Sequence, residues 1–273
     1  MTTDTFPQPA VQDSMNRTQA ERMEQYTLRQ ILGIWALATL PMALMTWMVL
    51  PAVIPYVPLH PGITYWLLII LGMVWQFILS LVIISRELGT LRWSAIRQRT
   101  WLQTPRDPRT DQPNRKLYWW LLLPLFFNGL VFALGGNVDA LMTWLFPALQ
   151  PAPFMQMEGL ASPEFHGQWW LLGITLASLI FNYFLGEEFL WHGVLLPKMQ
   201  GVFGKYDWVA NAVLFGFYHL HVPWRLPSVI LGNLTYSWPA RRFRSNWMAV
   251  IVHGVEGIPV LVVVLAVILG LMG

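Results

Sequence analysis

The fold of this chain is decided by one stretch, Trp169–Leu196, which reads WWLLGITLASLIFNYFLGEEFLWHGVLL. It is longer than the roughly 20 residues that cross a bilayer as a helix, and it contains two adjacent carboxylates, Glu187 and Glu188. A charged side chain at the centre of a membrane helix costs about 2.5–3.5 kcal/mol on insertion scales. Such side chains face a protein interior or a wet cavity and have a function there. The stretch therefore predicts a polar site inside a helical membrane protein.

The composition of the whole chain also favours a membrane protein. The 273 residues are 55% hydrophobic and only 11% charged, whereas soluble domains carry about 25% charged residues. The 16 tryptophans and eight tyrosines suit a protein that must line two membrane interfaces. There is no cysteine, which excludes disulfides, thiolate catalysis and iron–sulfur ligation.

Apolar segments predict an all-α, polytopic bundle of about seven to eight transmembrane helices. The seven segments are Ile31–Val57, Tyr65–Ser85, Tyr118–Leu134, Trp169–Leu196, Trp208–His221, Leu226–Trp238 and Trp247–Met272. We expect residues 1–30 to form a cytoplasmic N-terminal tail and residues 31–273 to form one membrane-embedded domain. No cleavable signal peptide is expected, because the first apolar stretch begins too late and is too long.

The distribution of cations predicts which side of the membrane each loop occupies. If the N-terminus lies in the cytoplasm and the segments alternate, all but one of the 17 Lys and Arg residues fall inside, and only Arg225 falls outside. The connection Gly135–Gln168 has no Lys or Arg and is expected outside. This is the pattern of the positive-inside rule. We therefore interpret the net charge of +3 as basic residues that face the cytoplasmic leaflet of the lipid bilayer. No nucleic-acid partner is expected.

The first polar position lies late in the fourth segment. Glu188 and His192 are four residues apart, so they share a helix face and can form a hydrogen bond. Glu187 points elsewhere, because neighbouring residues on a helix diverge by about 100°. A carboxylate buried in an apolar pocket is suited to act as a general base. The alternative is that both glutamates are packing residues satisfied by their neighbours.

Two further polar positions follow on later segments. His219 lies four residues after Phe215 at the end of the fifth segment, and His221 faces differently, nearer the rim. His253 lies in the last segment, three residues before Glu256, so that the two can touch. Counted at about 1.5 Å per residue, Glu187, His219 and His253 reach similar depths in the inner half of the membrane. We therefore expect them to converge.

The chemistry open to one glutamate and two histidines is limited. The glutamate can activate water while the histidines stabilise an oxyanion. The same set can bind a catalytic metal such as zinc, whose ligands would then be Glu187, His219 and His253. It can also pass protons in a transporter. The sequence leaves these alternatives open, although a metal is not expected to be required.

These residues are where the chain resembles the CPBP membrane proteases, also called the Abi or type II CAAX prenyl endopeptidase family. The family's motifs are Glu-Glu-x-x-x-Arg, Phe-x-x-x-His and His-x-x-x-Asn on successive core helices. Here they read Glu187-Glu188-x-x-x-His192, Phe215-x-x-x-His219 and His253-x-x-x-Gly257. The resemblance covers about Trp169–Ile258.

The resemblance implies an intramembrane endopeptidase that hydrolyses a peptide bond in a membrane-associated peptide or protein. It implies that Glu187 and His219 activate the attacking water and that His253 contributes to the oxyanion hole, with Glu188, His192, Glu256 and Phe215 in support. Two departures predict weaker activity. His192 replaces an arginine, so that a permanent cation becomes pH-dependent, and Gly257 replaces an asparagine that would donate a second hydrogen bond to the oxyanion.

Two functional alternatives remain beside the protease. A weak or inactive member of the family would act as a membrane binding or immunity protein. A transporter is the less favoured alternative. Other intramembrane proteases are poorly supported, since the sequence contains no His-Glu-x-x-His, no Gly-x-Ser-Gly and no Gly-Asp pair.

Overall fold

The computed structural model describes residues 24–272, so most of the predicted tail, residues 1–30, lies outside the described residues. Within them the regular secondary structure is helical, apart from one isolated β-bridge between Arg106 and Pro113. The predicted all-α fold class is confirmed. The main helices are α1 (Leu28–Tyr56), α2 (Pro61–Leu88), α3 (Trp93–Arg99), α4 (Arg115–Leu145), α5 (Trp170–Lys198), α6 (Asp207–Tyr218), α7 (Leu226–Phe243) and α8 (Asn246–Ile268).

Five of these helices, α1, α2, α4, α5 and α8, are long and apolar enough to cross a membrane. The helices α6 and α7 are shorter, as the lengths of the fifth and sixth segments predicted. The third segment was predicted to end at Leu134, but α4 continues to Leu145. That prediction was wrong because the residues after Leu134 stay apolar enough to prolong the helix into the outer connection.

The two short helices lie at the centre of the bundle. α6 packs against α7 and α1, and α7 packs against α4 and α8. A core of buried apolar side chains joins α1, α2, α5 and α6, and a second core joins α4, α7 and α8. Between these cores lies a layer of polar side chains that are almost fully buried: Gln76, Glu187, Glu188, His192, Asn211, Asn233, Ser237, Asn246 and His253. This layer is where a polar site can form.

The basic loops gather at one end of the bundle. Glu87, at the end of α2, accepts hydrogen bonds from Tyr26 and Arg99 and lies 3.2 Å from the ammonium of Lys198. The loop that follows α3 is fixed to the end of α7 by the pairing of Asp111 with Arg244. Arg225 lies at the opposite end, 3.8 Å from Asp139.

The helix α5 is irregular around the glutamates. It forms π-helical turns at Phe181–Leu185 and Phe189–Leu195, on either side of Gly186. A Cβ atom on Gly186 would lie 2.9 Å from the carbonyl oxygen of Met73 in α2, so the glycine permits the two backbones to approach closely. Arg99 donates hydrogen bonds to the carbonyls of Gly193 and Val194. Such π-turns are frequent at functional sites.

Candidate active site

Glu187 is buried, with 4% of its surface exposed, and its carboxylate faces the end of α6. The hydroxyl of Tyr218 donates a hydrogen bond to Oε1 of Glu187 at 3.1 Å. The Nε2 atom of His219 lies 4.0 Å from the same oxygen. The first two predicted catalytic residues are therefore neighbours, with a separation wider than a direct hydrogen bond.

A chain of hydrogen bonds fixes the carboxylate of Glu187 as an acceptor. The indole N–H of Trp191 donates to Oε1 of Gln76 at 3.3 Å, and Nε2 of Gln76 donates to the hydroxyl of Tyr218 at 2.6 Å. Because an indole can only donate, the amide orientation of Gln76 follows from that of Trp191. Because the hydroxyl oxygen of Tyr218 accepts from Gln76, its own hydrogen is donated to Glu187.

The ring of His219 is held in one tautomer by its own helix. Its Nδ1 atom lies 2.9 Å from the carbonyl oxygen of Phe215, which can only accept. Nδ1 therefore carries a hydrogen, and in the neutral ring Nε2 presents a lone pair toward Glu187. The Phe215-x-x-x-His219 spacing thus has a physical role, because the residue four positions earlier supplies the carbonyl.

Glu188 is fully buried and links two helices. One of its oxygens lies 2.8 Å from Nδ1 of His192, and the other lies 2.8 Å from Nδ1 of His253. The Glu188–His192 contact that the spacing predicted is confirmed. The Glu188–His253 contact, which joins α5 to α8, was not predicted. It leaves Nε2 of His253 as the ring atom that can meet a substrate.

The ring of His253 is enclosed by aromatic side chains. Tyr236 stacks on it, with ring centroids 4.5 Å apart, and Tyr183 meets it edge-on at 4.6 Å. Glu256 accepts a hydrogen bond from the hydroxyl of Tyr236, whereas the Nδ1 atom of His253 is bonded to Glu188. Glu256 therefore supports His253 through Tyr236 and is not the residue that orients its ring.

The side chains of Tyr183 and Leu179 pack directly against the backbone of Gly257. A Cβ atom there would lie 2.8 Å from Cε2 of Tyr183 and 3.0 Å from Cδ2 of Leu179. A larger residue at position 257 would therefore meet the ring of Tyr183. The departure at Gly257 thus lies at a close contact between α5 and α8.

The predicted residues form two connected groups. One contains Glu187 and His219, and the other contains Glu188, His192, His253 and, through Tyr236, Glu256. His221, expected nearer the rim, is buried with 5% of its surface exposed and stacks on His219 at 5.1 Å. Sequence reasoning missed Tyr218, Gln76 and Ser237. Gln76 gave a usable signal, since it is an amide within an otherwise apolar segment.

Glu187, His219 and His253 are the residues that the sequence left open as ligands of a metal such as zinc. Among residues 24–272, no three His, Asp or Glu side chains are grouped so that they could hold a metal ion. The Nδ1 atoms of His219 and His253 are bonded to protein acceptors, which leaves the Nε2 atoms as the ring nitrogens that a ligand could meet. Among these residues Glu187, His219 and His253 are therefore not grouped as the three-ligand site that the sequence left open, and no step below is routed through a metal.

Comparison with known proteins identifies the part of the chain that holds this site. Residues 166–257, about a third of the chain, match the family described as type II CAAX prenyl endopeptidase Rce1-like. The predicted core, Trp169–Ile258, nearly coincides with this match. No curated protein and no solved structure matches the chain at a significant level. Over residues 166–257 the chain is thus similar to the family described as type II CAAX prenyl endopeptidase Rce1-like.

Proposed function

We propose that this protein is an intramembrane endopeptidase in which Glu187 and His219 activate a water molecule for attack on a peptide bond. The observation that carries the proposal is the 4.0 Å separation between Oε1 of Glu187 and Nε2 of His219. Both atoms are acceptors when His219 is neutral. One water molecule between them would donate a hydrogen to each and keep a lone pair for the carbonyl carbon.

The proposed reaction balances with Glu187 as the only proton carrier. The water oxygen adds to the carbonyl carbon while its proton passes to Glu187, and a tetrahedral oxyanion forms. When its ring carries two protons, His253 stabilises that oxyanion through Nε2–H. Glu187 then returns the proton to the amide nitrogen, the C–N bond breaks, and a carboxylic acid and an amine leave. Glu188 positions His253 through Nδ1.

The proposed substrate is a membrane-associated peptide or protein that approaches from the cytoplasmic side. The basic loops share one end of the bundle, and the positive-inside rule places such an end in the cytoplasm. The N-terminus would lie there too, because Tyr26 is bonded to Lys198 and Glu87 at that end. The family description makes a prenylated C-terminal segment the first substrate to test.

Glu187→Gln tests the proposed base. The change keeps the size of the side chain and removes its basicity, so we expect cleavage to fall by about 10²–10⁴-fold while the purified protein keeps its elution profile and thermal midpoint. The matched control is Glu164→Gln in the outer connection. The measurement is mass spectrometry of membrane-protein C-termini from cells that carry each variant. Normal cleavage by Glu187→Gln would eliminate the proposal.

One observation favours the second candidate, a weak or inactive family member that acts by binding. Tyr183 fills the space beside Gly257 where the family's asparagine would supply a hydrogen bond to the oxyanion. Loss of one such donor typically costs about 10²–10³ in rate. A binding protein would keep its cellular phenotype after Glu187→Gln, whereas a protease would lose it.

A further inference from the structure

The α3 terminal turn, residues 99–101, lies outside the stretch that matches the family, yet it is bonded to the helix that carries the glutamates. Arg99 is buried, with 4% of its surface exposed. It donates hydrogen bonds to the carbonyl oxygens of Gly193 at 3.3 Å and Val194 at 3.1 Å. These two carbonyls follow Glu188 by about one turn of α5.

Pro197 explains why the carbonyl of Gly193 needs a donor from another helix. In a regular α-helix the N–H of residue 197 would donate to this carbonyl, and proline has no N–H. Gly193 also permits α3 to come close, because a Cβ atom there would lie 3.2 Å from Cβ of Thr100. A buried acceptor without a donor costs free energy. The guanidinium of Arg99 thus replaces the missing main-chain donor.

The guanidinium of Arg99 is fixed from its other side by α2 and by the segment before α1. Its Nε atom donates to Oε2 of Glu87 at 2.7 Å, and its Nη2 atom donates to the hydroxyl of Tyr26 at 3.0 Å. Tyr26 in turn donates to Glu87. Because the guanidinium is planar and rigid, its bonds to the carboxylate and to the carbonyls are set together. Arg99 therefore fixes the end of α2 relative to the irregular part of α5.

The backbone of the α3 terminal turn is strained at Trp101, whose φ is 54°. The N–H of Leu102 donates to the carbonyl of Arg97 at 3.0 Å, and that of Trp101 donates to the carbonyl of Gln98 at 3.4 Å. This is the Schellman arrangement, in which glycine usually has the left-handed conformation. An aromatic residue in its place carries a conformational cost, and strained residues of this kind cluster at functional sites.

The strained residue holds the helix that carries His253. The carbonyl of Trp101 accepts a hydrogen bond from the main-chain N–H of Asn246, the first residue of α8, at 2.7 Å. The Nδ2 atom of Asn246 then donates to the carbonyl of Glu188 at 3.2 Å. The α3 terminal turn is thus bonded to both helices that meet at the Glu188–His253 contact.

We infer, in a step that rests on the proposed function, that the α3 terminal turn aligns the active site and that Arg99 is a positioning residue. Arg99 holds the part of α5 that follows Glu188, and the carbonyl of Trp101 holds the start of α8. Together they set where Glu188 meets His253. Because the turn precedes residue 166, the region that matches the family does not contain the residues that align its own helices.

The test measures hydrogen–deuterium exchange by mass spectrometry, in detergent, for wild type, Arg99→Lys and Arg92→Lys. Lysine keeps the charge beside Glu87 but lacks the fork that reaches the carboxylate and the carbonyls at once. Arg92, exposed at the start of the same helix, is the matched control. We expect exchange in peptides that cover residues 188–198 to be about tenfold faster in Arg99→Lys, with no change in α4. Arg92→Lys should follow wild type.

An activity measurement separates alignment of the site from support of the fold. If wild type cleaves, we expect kcat to fall by about 10²-fold in Arg99→Lys, the usual cost of a misplaced reactant, with KM nearly unchanged. Arg92→Lys should keep the kcat of wild type. Exchange does not require activity, so failure of the proposed protease function would leave the exchange result readable.

Three results would overturn the inference. The first is wild-type exchange over residues 188–198 in Arg99→Lys, and the second is an equal rise in α4, which would indicate general loss of stability. The third is a cleaving wild type whose kcat is the same in Arg99→Lys. If Arg99→Lys does not fold, Arg99→Gln takes its place in the same comparison, because Glu87 keeps Lys198 at 3.2 Å as its partner.

Discussion

Nε2 of His219 lies 4.0 Å from Oε1 of Glu187, and neither atom needs to carry a hydrogen. The hydroxyl of Tyr218 donates to Glu187, and Nδ1 of His219 donates to the carbonyl of Phe215. Two acceptors placed face to face favour a molecule with two hydrogens between them. Water is such a molecule, and it is the second substrate of a hydrolase.

His219→Gln should therefore lower kcat far more than it raises KM. Glutamine removes the imidazole nitrogen that holds the water at a fixed position, while it keeps a polar group in the pocket. We expect kcat to fall by about 10²-fold, the usual cost of a misplaced reactant, in a fluorogenic peptide assay in proteoliposomes. His166→Gln, at an exposed position on the opposite end, is the control. A His219→Gln variant with normal kcat would remove His219 from the mechanism.

Tyr218→Phe should reduce both rate and stability. It removes the hydrogen bond to Glu187 and leaves Nε2 of Gln76 buried without its acceptor. A buried donor without a partner costs about 1–3 kcal/mol, which thermal unfolding in detergent measures. Tyr206→Phe is the matched control, because its ring is 61% exposed. Equal effects of the two changes would contradict the role assigned to Tyr218.

Gly257→Asn restores the family residue but should not restore activity by itself. Its Cβ would lie 2.8 Å from Tyr183, and overpacking of this kind costs about 1–3 kcal/mol. We expect the double variant Gly257→Asn with Tyr183→Ala to be more stable than the sum of the single changes predicts, and to cleave faster than Gly257→Asn alone. Additive unfolding free energies would show that the two positions do not compete for space.

Gly186→Ala should destabilise the fold, whereas Gly173→Ala should not. On Gly186 the new methyl would lie 2.5 Å and 2.9 Å from the carbonyl oxygens of Phe181 and Met73, which are backbone atoms. On Gly173, in the same helix, no atom lies within 4 Å. We expect a loss of folded protein in fluorescence-detected size exclusion for the first change only. Similar yields for both variants would contradict the close approach of α2 and α5.

Asp111→Asn should loosen the loop between α3 and α4. The hydrogen bond from Arg106, at 2.8 Å, holds the pKa of the Asp111 carboxyl below its usual value. A lowered pKa means that the carboxylate stabilises the loop above the usual carboxyl range and stops doing so only as pH falls through the lowered value. At neutral pH we expect trypsin to cut after the exposed Arg109 faster in Asp111→Asn than in Glu164→Gln. Equal cleavage rates would show that the charge of Asp111 does not hold the loop.

The sequence predicted the segments and the three polar motifs because both follow from local rules. Apolar length marks a helix that can cross a membrane, and spacing of four residues marks a shared face, as in the pair Glu188–His192. The link from Glu188 to His253 could not be derived in this way. It depends on how α8 docks against α5, and the π-turns of α5 rotate side chains away from the positions of a regular helix.

The residues that orient the catalytic side chains could not be predicted from local sequence rules either. Gln76 and Ser237 lie about 110 and 50 residues from Glu187 in the chain, and each acts through hydrogen bonds to residues of other helices. Nothing in the spacing of a single segment ties an amide in α2 to a carboxylate in α5. Only the packing of the helices brings these groups together, and the sequence of one protein does not give that packing.

The two hydrogen bonds that Arg99 donates to the carbonyls of Gly193 and Val194 bear on any attempt to isolate a minimal enzyme. A truncation that retained only residues 166–257 would discard Arg99 together with Gln76. It would leave the two main-chain oxygens without the guanidinium from which they accept, and a buried acceptor that loses its donor costs free energy. The smallest unit capable of independent folding is therefore larger than the stretch shared with relatives.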